Sequence, residues 1–434
     1  MSTLLEVVLL IVAISVLIIM HEIGHFLASR LFKIEVEEFG IGFPPRAKKM
    51  WRGRGFFKLG STRINTPLGR RALDDLEPGT WVDALTTRNA DGAYTLNEMR
   101  VLDPSYDTLE PKREQVDDKV RIRGEVTEEK LGTIYSLNWL PLGGFVRPKG
   151  EEDLESPDGL MAANPWVRIG VYVAGPAMNL LIGVLLYTIL IMQVGKPIPD
   201  QVIVSGVAEN SPAAEVGLLT NDLVLEINDV VVDSTMALRD EIYANLGEPI
   251  AIVYERNGVV DTVSLVPRPL DEIPAGEGAI GIQMSNIYEP IQWWEALPEG
   301  AVATYQHSLL LLSLPTQVFQ GDVPVEAARP VGYVGMWSLF QRFMQMEPPS
   351  GAGPSFYVIY FFVMITISLG IFNLLPIPAL DGGRILFALP EIVLRRRIPI
   401  QWQYWINFLS FVALILLFFY INILDFTSPV ELPQ

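Results

Sequence analysis

Cysteine is absent from the 434 residues of the chain, which excludes disulfides and thiolate metal sites. Any metal must then be held by histidine and carboxylate. Histidine itself is scarce, at three residues. Positive charge is short as well: 32 Lys and Arg stand against 50 Asp and Glu, a formal net charge of -18. A nucleic-acid partner is excluded on that ground, because binding polyphosphate requires clustered Lys and Arg to displace counterions. What the chain has in quantity is apolar residues, 50% of the total, with a mean hydropathy of +0.31. Its length allows a membrane core plus one or two small water-soluble modules.

A transmembrane helix needs roughly 20 mostly apolar residues. Four stretches qualify: Leu4 to about Ala28, about Ile169 to Val194, about Phe356 to Leu375, and about Trp402 to Leu424. The first carries Glu6, has no Lys or Arg before its apolar run and leads to no small-residue cleavage site, so it reads as a retained span rather than a signal peptide. A fifth candidate at 301–319 is interrupted by His307, Pro315 and Gln317 and reads as an amphipathic segment at the interface. Lys and Arg crowd the loop after the first span (Arg30, Lys33, Arg46, Lys48, Lys49, Arg52, Arg54, Lys58) and the loop between the third and fourth (Arg384, Arg395, Arg396, Arg397). Those loops are expected in the cytoplasm, and the acidic segment from about 196 to 350 outside.

Two modules interrupt the spans. Residues of about 60–131 form a charged insertion, either a small β-rich module or partly disordered chain. After it, "TIYSLNWLPLGGFVRP" alternates like a strand and is expected to break at Pro141 and the Gly143 and Gly144 pair. From Val202 to about Pro267, short β-branched strands surround a helix near "TMALRDEIYANLG", with Asn257 and Gly258 as a hairpin turn. The run "SPAAEVGLLTNDLVLEINDVVV" resembles a PDZ domain, a fold that binds extended peptides as an added strand or serves here as a packing module.

The chemistry concentrates in "HEIGH". On a helix, His21 and His25 are four residues apart and share a face, close enough to hold one metal ion. Glu22 lies beside them, where a carboxylate can take a proton from a metal-activated water. Ionisable groups inside a membrane segment are expensive, and zinc binding with base catalysis justifies the cost. Catalytic zinc wants three protein ligands and an open position, so a carboxylate near the same membrane face is expected as the third. Asp381 supplies it, after Pro376 and Pro378 interrupt the third span and where Gly382 and Gly383 are expected to turn the backbone. Only a four-span chain puts Asp381 and the histidine pair at one face.

With these residues assembled, the chain resembles the bacterial site-2 proteases, intramembrane zinc metalloproteases that include the regulator of sigma-E protease. The resemblance rests on "HEIGH" (21–25), "PLGGFV" (141–146), "AGPAMN" (174–179), the PDZ-like unit and "NLLPIPALDGG" (373–383), in that order. It implies one Zn2+ per chain on His21, His25 and Asp381, and Glu22 as the catalytic base. It also implies that Asn179 and Asn373 face the active-site cavity and steady substrate, against interhelical hydrogen bonding as the alternative. Gly143, Gly144 and Phe145 would clamp the substrate as an added strand, against a plain tight turn. The implied partners are the lipid bilayer and single-span membrane substrates such as anti-sigma factors. The implied location is the bacterial cell membrane, with the active site near the cytoplasmic face. A scaffold or chaperone presenting a PDZ-like module is the alternative function, and a metal transporter a second.

The expected fold is a multi-pass α-helical membrane protein of four spans, with a membrane-associated β loop and an extracytoplasmic PDZ-like α+β domain. Its parts are a first span over 1–31, a cytoplasmic-side loop over 32–167, a second span over 168–196 and a PDZ-like unit over 197–286. A connector over 287–350, a third span with the LDGG motif over 351–386, and a fourth span with a tail over 387–434 complete it.

Overall fold

The computed structural model describes residues 3–69, 76–103, 105, 107, 109–151, 158–274, 277–346, 348 and 352–428, so residues 70–75 of the insertion and the end of the tail lie outside the described residues. Two compact units are present. One comprises Met1–Gly183, Thr304–Gln341 and Phe361–Pro429, the other Val184–Ala303, Arg342–Tyr360 and Val430–Gln434.

The first unit opens with α1 (Thr3–Leu31), an unbroken apolar helix that carries the histidine pair. Two long strands, β1 (Val36–Arg52) and β8 (Ile134–Pro148), form a two-stranded antiparallel ladder. Between them lie β2 (Gly55–Leu59), β3 (Thr62–Thr66), β4 (Trp81–Arg88), β5 (Tyr94–Val101), β6 (Lys112–Val116) and β7 (Lys119–Lys130). The insertion is therefore the β-rich alternative. Strands β2, β3, β5, β4 and β7 hydrogen-bond in sequence and close through a β2–β7 pairing, with β6 flanking β7. Alternating residues fill this small barrel, Phe57, Ile64, Val82, Ala84 and Leu96 among them, and closure pairs the edge of β2 that an open sheet would leave exposed.

The expected break at Pro141 and the glycine pair is present within β8. Residues 134–137 pair with Glu38–Ile41 in ascending order and residues 144–147 pair with the same residues in descending order, so the chain reverses between them. Gly143, with φ of 66°, also lies where a Cβ would meet Ile18 Cγ2 at 2.5 Å, so the glycine lets β8 settle onto α1.

Helix α2 (Pro165–Val194) follows, with Pro176 inside it. The second unit continues with β9 (Lys196–Val207), α3 (Pro212–Glu215), β10 (Leu223–Ile227), β11 (Val230–Val231), α4 (Thr235–Ala244), β12 (Ile250–Arg256), β13 (Val259–Leu265) and β14 (Ile282–Glu289). Its sheet has the order β13-β12-β10-β9-β14, antiparallel throughout, with β11 paired to β10. Ser211 and Ser234 cap α3 and α4 through their side-chain oxygens, as "SPAAE" and "STMAL" foretell. Asn257 and Gly258, both at positive φ, make the two-residue hairpin between β12 and β13. Val204, Ile227, Leu238, Ile250 and Ile252 are buried at its centre. Capped helices on a sheet of short β-branched strands agree with the PDZ-like reading. Strand β14 adds an edge beyond the expected compact run of 202–267.

The chain ends in helices: α5 (Trp293–Gln320), α6 (Val325–Ala328), α7 (Tyr333–Gln345), α8 (Phe356–Leu374), α9 (Asp381–Leu394) and α10 (Ile400–Thr427). Among the described residues, four helices are long and apolar enough to cross a membrane: Glu6–Leu31 of α1, α2, α8 and α10. Helix α5 is long enough at 28 residues but is not among them, in keeping with its polar interruptions. Spanning elements are helices because lipid offers no partner for backbone polar groups.

One buried ion pair in the second unit generates a pH-dependent expectation. Asp222, 1% exposed at its side chain, takes two hydrogen bonds of 2.6 Å from Arg256 and one of 2.8 Å from the Leu219 amide. Burial raises the Asp222 carboxyl pKa, but Arg256 and that amide outweigh it and hold the group below its ordinary 3.8. The unfolded chain therefore binds the proton first. The pair's contribution is fully present above pH 3.8 and is lost as pH falls through the lower folded value. Asp222→Asn should destabilise the unit at pH 7 by about 1–3 kcal/mol in thermal melts. The gap from wild type should narrow in melts run at successively lower pH.

Candidate active site

Three distant segments meet at one point in the first unit. His21 and His25 lie one turn apart on α1, ring centroids 4.8 Å apart and nearly perpendicular, and both are buried. Asp381 is the first residue of α9, following the break after α8. Its Oδ2 lies 3.1 Å from His21 Nε2 and 3.3 Å from His25 Nε2, and the two Nε2 atoms are 3.1 Å apart. Ligand atoms 2.0–2.1 Å from a tetrahedral zinc are separated by about 3.3 Å, so this triangle has the size of three corners of such a site.

Proton positions sharpen the point. His25 Nδ1 lies 2.8 Å from the carbonyl oxygen of Val171, which can only accept, so Nδ1 carries the proton and donates. Nε2 of a neutral His25 is then a bare lone pair. His21 Nδ1 faces the side-chain amide of Asn179, fully buried, at 3.1 Å. With Nδ2 towards the ring, Asn179 Oδ1 is buried without a partner; turned over, Oδ1 accepts from Nδ1–H and His21 Nε2 is freed as well. Asp381 Oδ2 is also buried with no hydrogen-bond donor. With the amide in that orientation, three acceptors converge with no proton between them, which is a set that a cation satisfies. Among the described residues, these three form the group suited to a metal.

The surrounding backbone would leave room for an ion. A Cβ on Gly175 would lie 2.3 Å from His25 Nε2 and 2.8 Å from His21 Nε2, so α2 must present a glycine there. Gly24 on α1 would place a Cβ 2.2 Å from Ala174 O, and Gly370 on α8 approaches Pro176 O and Asn179. Small residues at such contacts let membrane helices approach closely. Thr366 Oγ1 on α8 donates to the backbone oxygen of Asn179 at 3.1 Å, fixing α2 against α8.

Asp381 arrives by a route that differs from the sequence expectation. Gly382 and Gly383 are not the turn: they are buried helical residues of α9 without positive φ. Their missing side chains matter because a Cβ would strike Leu375 O at 2.1 Å and Ile377 O at 2.4 Å respectively. The turn falls on Ala379, at φ of 75°, whose amide donates to Asn407 Oδ1 of α10 at 3.1 Å. Two ion pairs secure α9 behind it: Arg384 with Glu151, and Glu391 with the buried Arg168 of α2. None of Val171, Gly175, Arg168, Glu391 or Asn407 was singled out from sequence. Gly175 and Asn179 are spaced four apart in "AGPAMN", a helical signal that would have placed the glycine on the same face as the asparagine.

Glu22 sits beside the triangle and accepts from the Val146 amide of β8 at 3.0 Å. The "PLGGFV" segment is therefore held next to the carboxylate: Gly143 packs on Ile18, Gly144 on Ile19, and Ser15 Oγ donates to Pro141 O at 3.1 Å. Phe145 packs against Gly40 of β1. Asn373, half-buried on α8, donates Nδ2 to Leu369 O of its own helix at 2.9 Å.

A bare ligand triangle with an adjacent carboxylate, set among membrane-spanning helices, is the apparatus of a membrane metalloprotease. Comparison with known proteins gives the family. The chain belongs to peptidase family M50, whose model matches residues 9–60 and 123–417. Similar proteins include a provisionally named zinc metalloprotease of Campylobacter jejuni, 31% identical over 314 residues that cover 67% of this chain and 78% of the relative. Two proteins named zinc metalloprotease RasP are similar along almost their whole length. That of Oceanobacillus iheyensis is 24% identical over 95% of this chain and 96% of its own, and that of Geobacillus kaustophilus 26% identical over 96% of each. The chain is accordingly a zinc metalloendopeptidase of the site-2 protease type, a multi-pass membrane protein.

Substitutions at two positions test the cradle. Gly175→Ala should abolish metal retention in the purified protein while leaving its helical content unchanged. Asn179→Leu should weaken metal affinity by about 10–100-fold. Asn179→Asp, which still accepts a proton from His21 Nδ1, should retain most of it; equal losses in both variants would refute the acceptor role.

Proposed function

We propose that the chain cuts single-span membrane proteins within or near the bilayer, holding one zinc ion on His21, His25 and Asp381 and using Glu22 as its general base. The convergence of three ligand-type atoms, 3.1–3.3 Å from one another, is the observation that supports this most. When bound, the zinc would supply Lewis acidity and lower the pKa of an active-site water towards about 7. Glu22 takes the proton from the attacking water and delivers it to the leaving amine. The Val146 amide holds the Glu22 carboxylate in place for both transfers.

A helical substrate hides its peptide bonds in its own hydrogen bonds and must be extended before attack. Strand β8 offers a place for this. Among the described residues it pairs only with β1, and its far edge runs past Glu22. Gly143, Gly144 and Phe145 would receive the extended substrate along that edge, with Asn373 steadying its backbone. Asn179 we assign to His21 rather than to substrate. With the Lys- and Arg-rich loops inside, this site would lie near the cytoplasmic face and the PDZ-like unit outside. Anti-sigma factors are the kind of substrate that suits such an enzyme, and the PDZ-like unit would restrict access to those already trimmed by another protease.

The experiment compares two variants against a membrane-reconstituted single-span substrate. Glu22→Gln should retain wild-type metal content and lose cleavage, by a factor of at least about 100 on the scale of general-base catalysis. Asp381→Ala should lose both. Cleavage at the wild-type rate by Glu22→Gln would remove the mechanism.

A further inference from the structure

A depression of about 730 Å3 lies where the end of α1 meets the inserted barrel, and proteolysis makes no use of it. Its lining brings together Arg30, Lys33, Arg54, Arg63 and Lys130, with Glu35 as its one acidic residue. In a chain whose net charge is -18, this concentration of positive charge stands apart. Lys130 lies 3.3 Å from Asp158, and Arg63 lies 3.8 Å over the Phe56 ring with Nε donating to Asn65. Among the described residues, no carboxylate is paired with Arg30, Lys33, Arg54 or Arg63. Such cations repel one another, and a bound anion relieves that repulsion. The exposed Leu68 also lines the depression, so an apolar side chain stands beside the cationic ones.

Position selects the anion. Arg30 belongs to the last turn of the first span, so the depression begins where hydrocarbon gives way to headgroups. Basic pockets at that depth suit the phosphate of anionic lipids, to which each Lys or Arg adds a favourable increment. Arg63 and its neighbours on β3 fall between the two segments matched by the family model, which leaves 61–122 uncovered. Part of the wall is therefore supplied by the insertion, and the site is a feature of this chain rather than of the shared catalytic core. We propose that this depression binds the phosphate of an anionic phospholipid headgroup and so ties the inserted barrel to the membrane surface.

The test uses the full-length protein in a neutral detergent, titrated separately with phosphatidylglycerol, phosphatidylcholine of the same chain length, and inorganic phosphate. Thermal stabilisation and lipid retained in native mass spectra are read, with metal content as a control on the active site. Phosphatidylglycerol should stabilise the protein and stay bound, increasingly weakly as salt is raised, while the other two have little effect. Arg54→Gln combined with Arg63→Gln should weaken phosphatidylglycerol binding about 30-fold, a factor of roughly five for each charge. Lys112→Gln combined with Arg239→Gln, two cations outside the lining, should change nothing. If the paired arginine variant does not fold, Lys33→Gln alone should weaken binding roughly five-fold. Undiminished binding in the lining variants, or an equal loss in the control pair, would overturn the proposal. So would equal binding of phosphatidylcholine, and full stabilisation by inorganic phosphate would reassign the site to a soluble anion.

Discussion

The constraint on which the rest depends is the meeting of two imidazole nitrogens and one carboxylate oxygen, 3.1–3.3 Å from one another, in a buried place. Left alone, such a set is costly, since buried acceptors without donors forfeit their hydration. The surrounding structure nevertheless enforces it. Val171 O takes the proton of one imidazole, and Asn179 is placed to take that of the other. Metal-ligating histidines are oriented in this way through their second nitrogen, which fixes both tautomer and ring angle. The site is thus specified from α2, an element that contributes no ligand. Helix α2 supplies the orienting carbonyl, the orienting amide and the glycine that leaves space for the ion.

Holding a carboxylate against that pair requires a second compromise. A continuous third span could not end at Asp381 with its side chain directed at α1, so the helix stops at Leu374 and restarts seven residues later. Broken backbone at membrane depth is tolerable only where its polar groups find partners inside the protein. Asn407 of α10 provides one for the strained Ala379. The fourth span therefore has a structural bearing on the site although it holds no ligand. Glycines 382 and 383 then let the restarted helix lie directly against the carbonyls of the break, and the pairs Arg384–Glu151 and Arg168–Glu391 hold its exposed flank.

The spans and the candidate metal cluster were legible in the sequence because each leaves a local signature. Apolar length marks the helices, and the four-residue spacing of His21 and His25 puts both on one face without any tertiary knowledge. The double proline before Asp381 announced a break. What lay beyond reach was set by atoms from elsewhere in the fold. "LDGG" reads as a turn because glycine has two uses, positive φ and close approach, and only the neighbouring carbonyls decide between them. By contrast, Pro141 and the glycines after it did read as the end of a strand run, and the ladder with β1 reverses there. Asn179 was recognised as exceptional, yet its partner, 158 residues away, determines whether it serves substrate or ligand. The charged insertion offered no periodicity strong enough to separate strands from disorder, since its core alternation is carried by short runs between turns.

The geometry of the insertion explains how the catalytic core tolerates it. Its first and last strands, β2 and β7, are paired with each other from Phe56 opposite Lys130 to Leu59 opposite Val126. Just outside that pair, the Gly53 amide donates to Thr133 O at 2.8 Å, and the ladder of β1 with β8 begins at Arg52 opposite Ile134. The chain thus leaves and re-enters the membrane-associated hairpin at one place, with the two crossings bonded together. A closed barrel grafted at such a point imposes little strain on the ladder beyond it, because the distance its ends must span is already that of neighbouring strands. The strands that carry "PLGGFV" to Glu22 therefore keep their register whether or not a domain hangs from their far end. Evolution is free at that end to add a surface with its own ligand, and the cationic depression beside Arg63 lies at this junction.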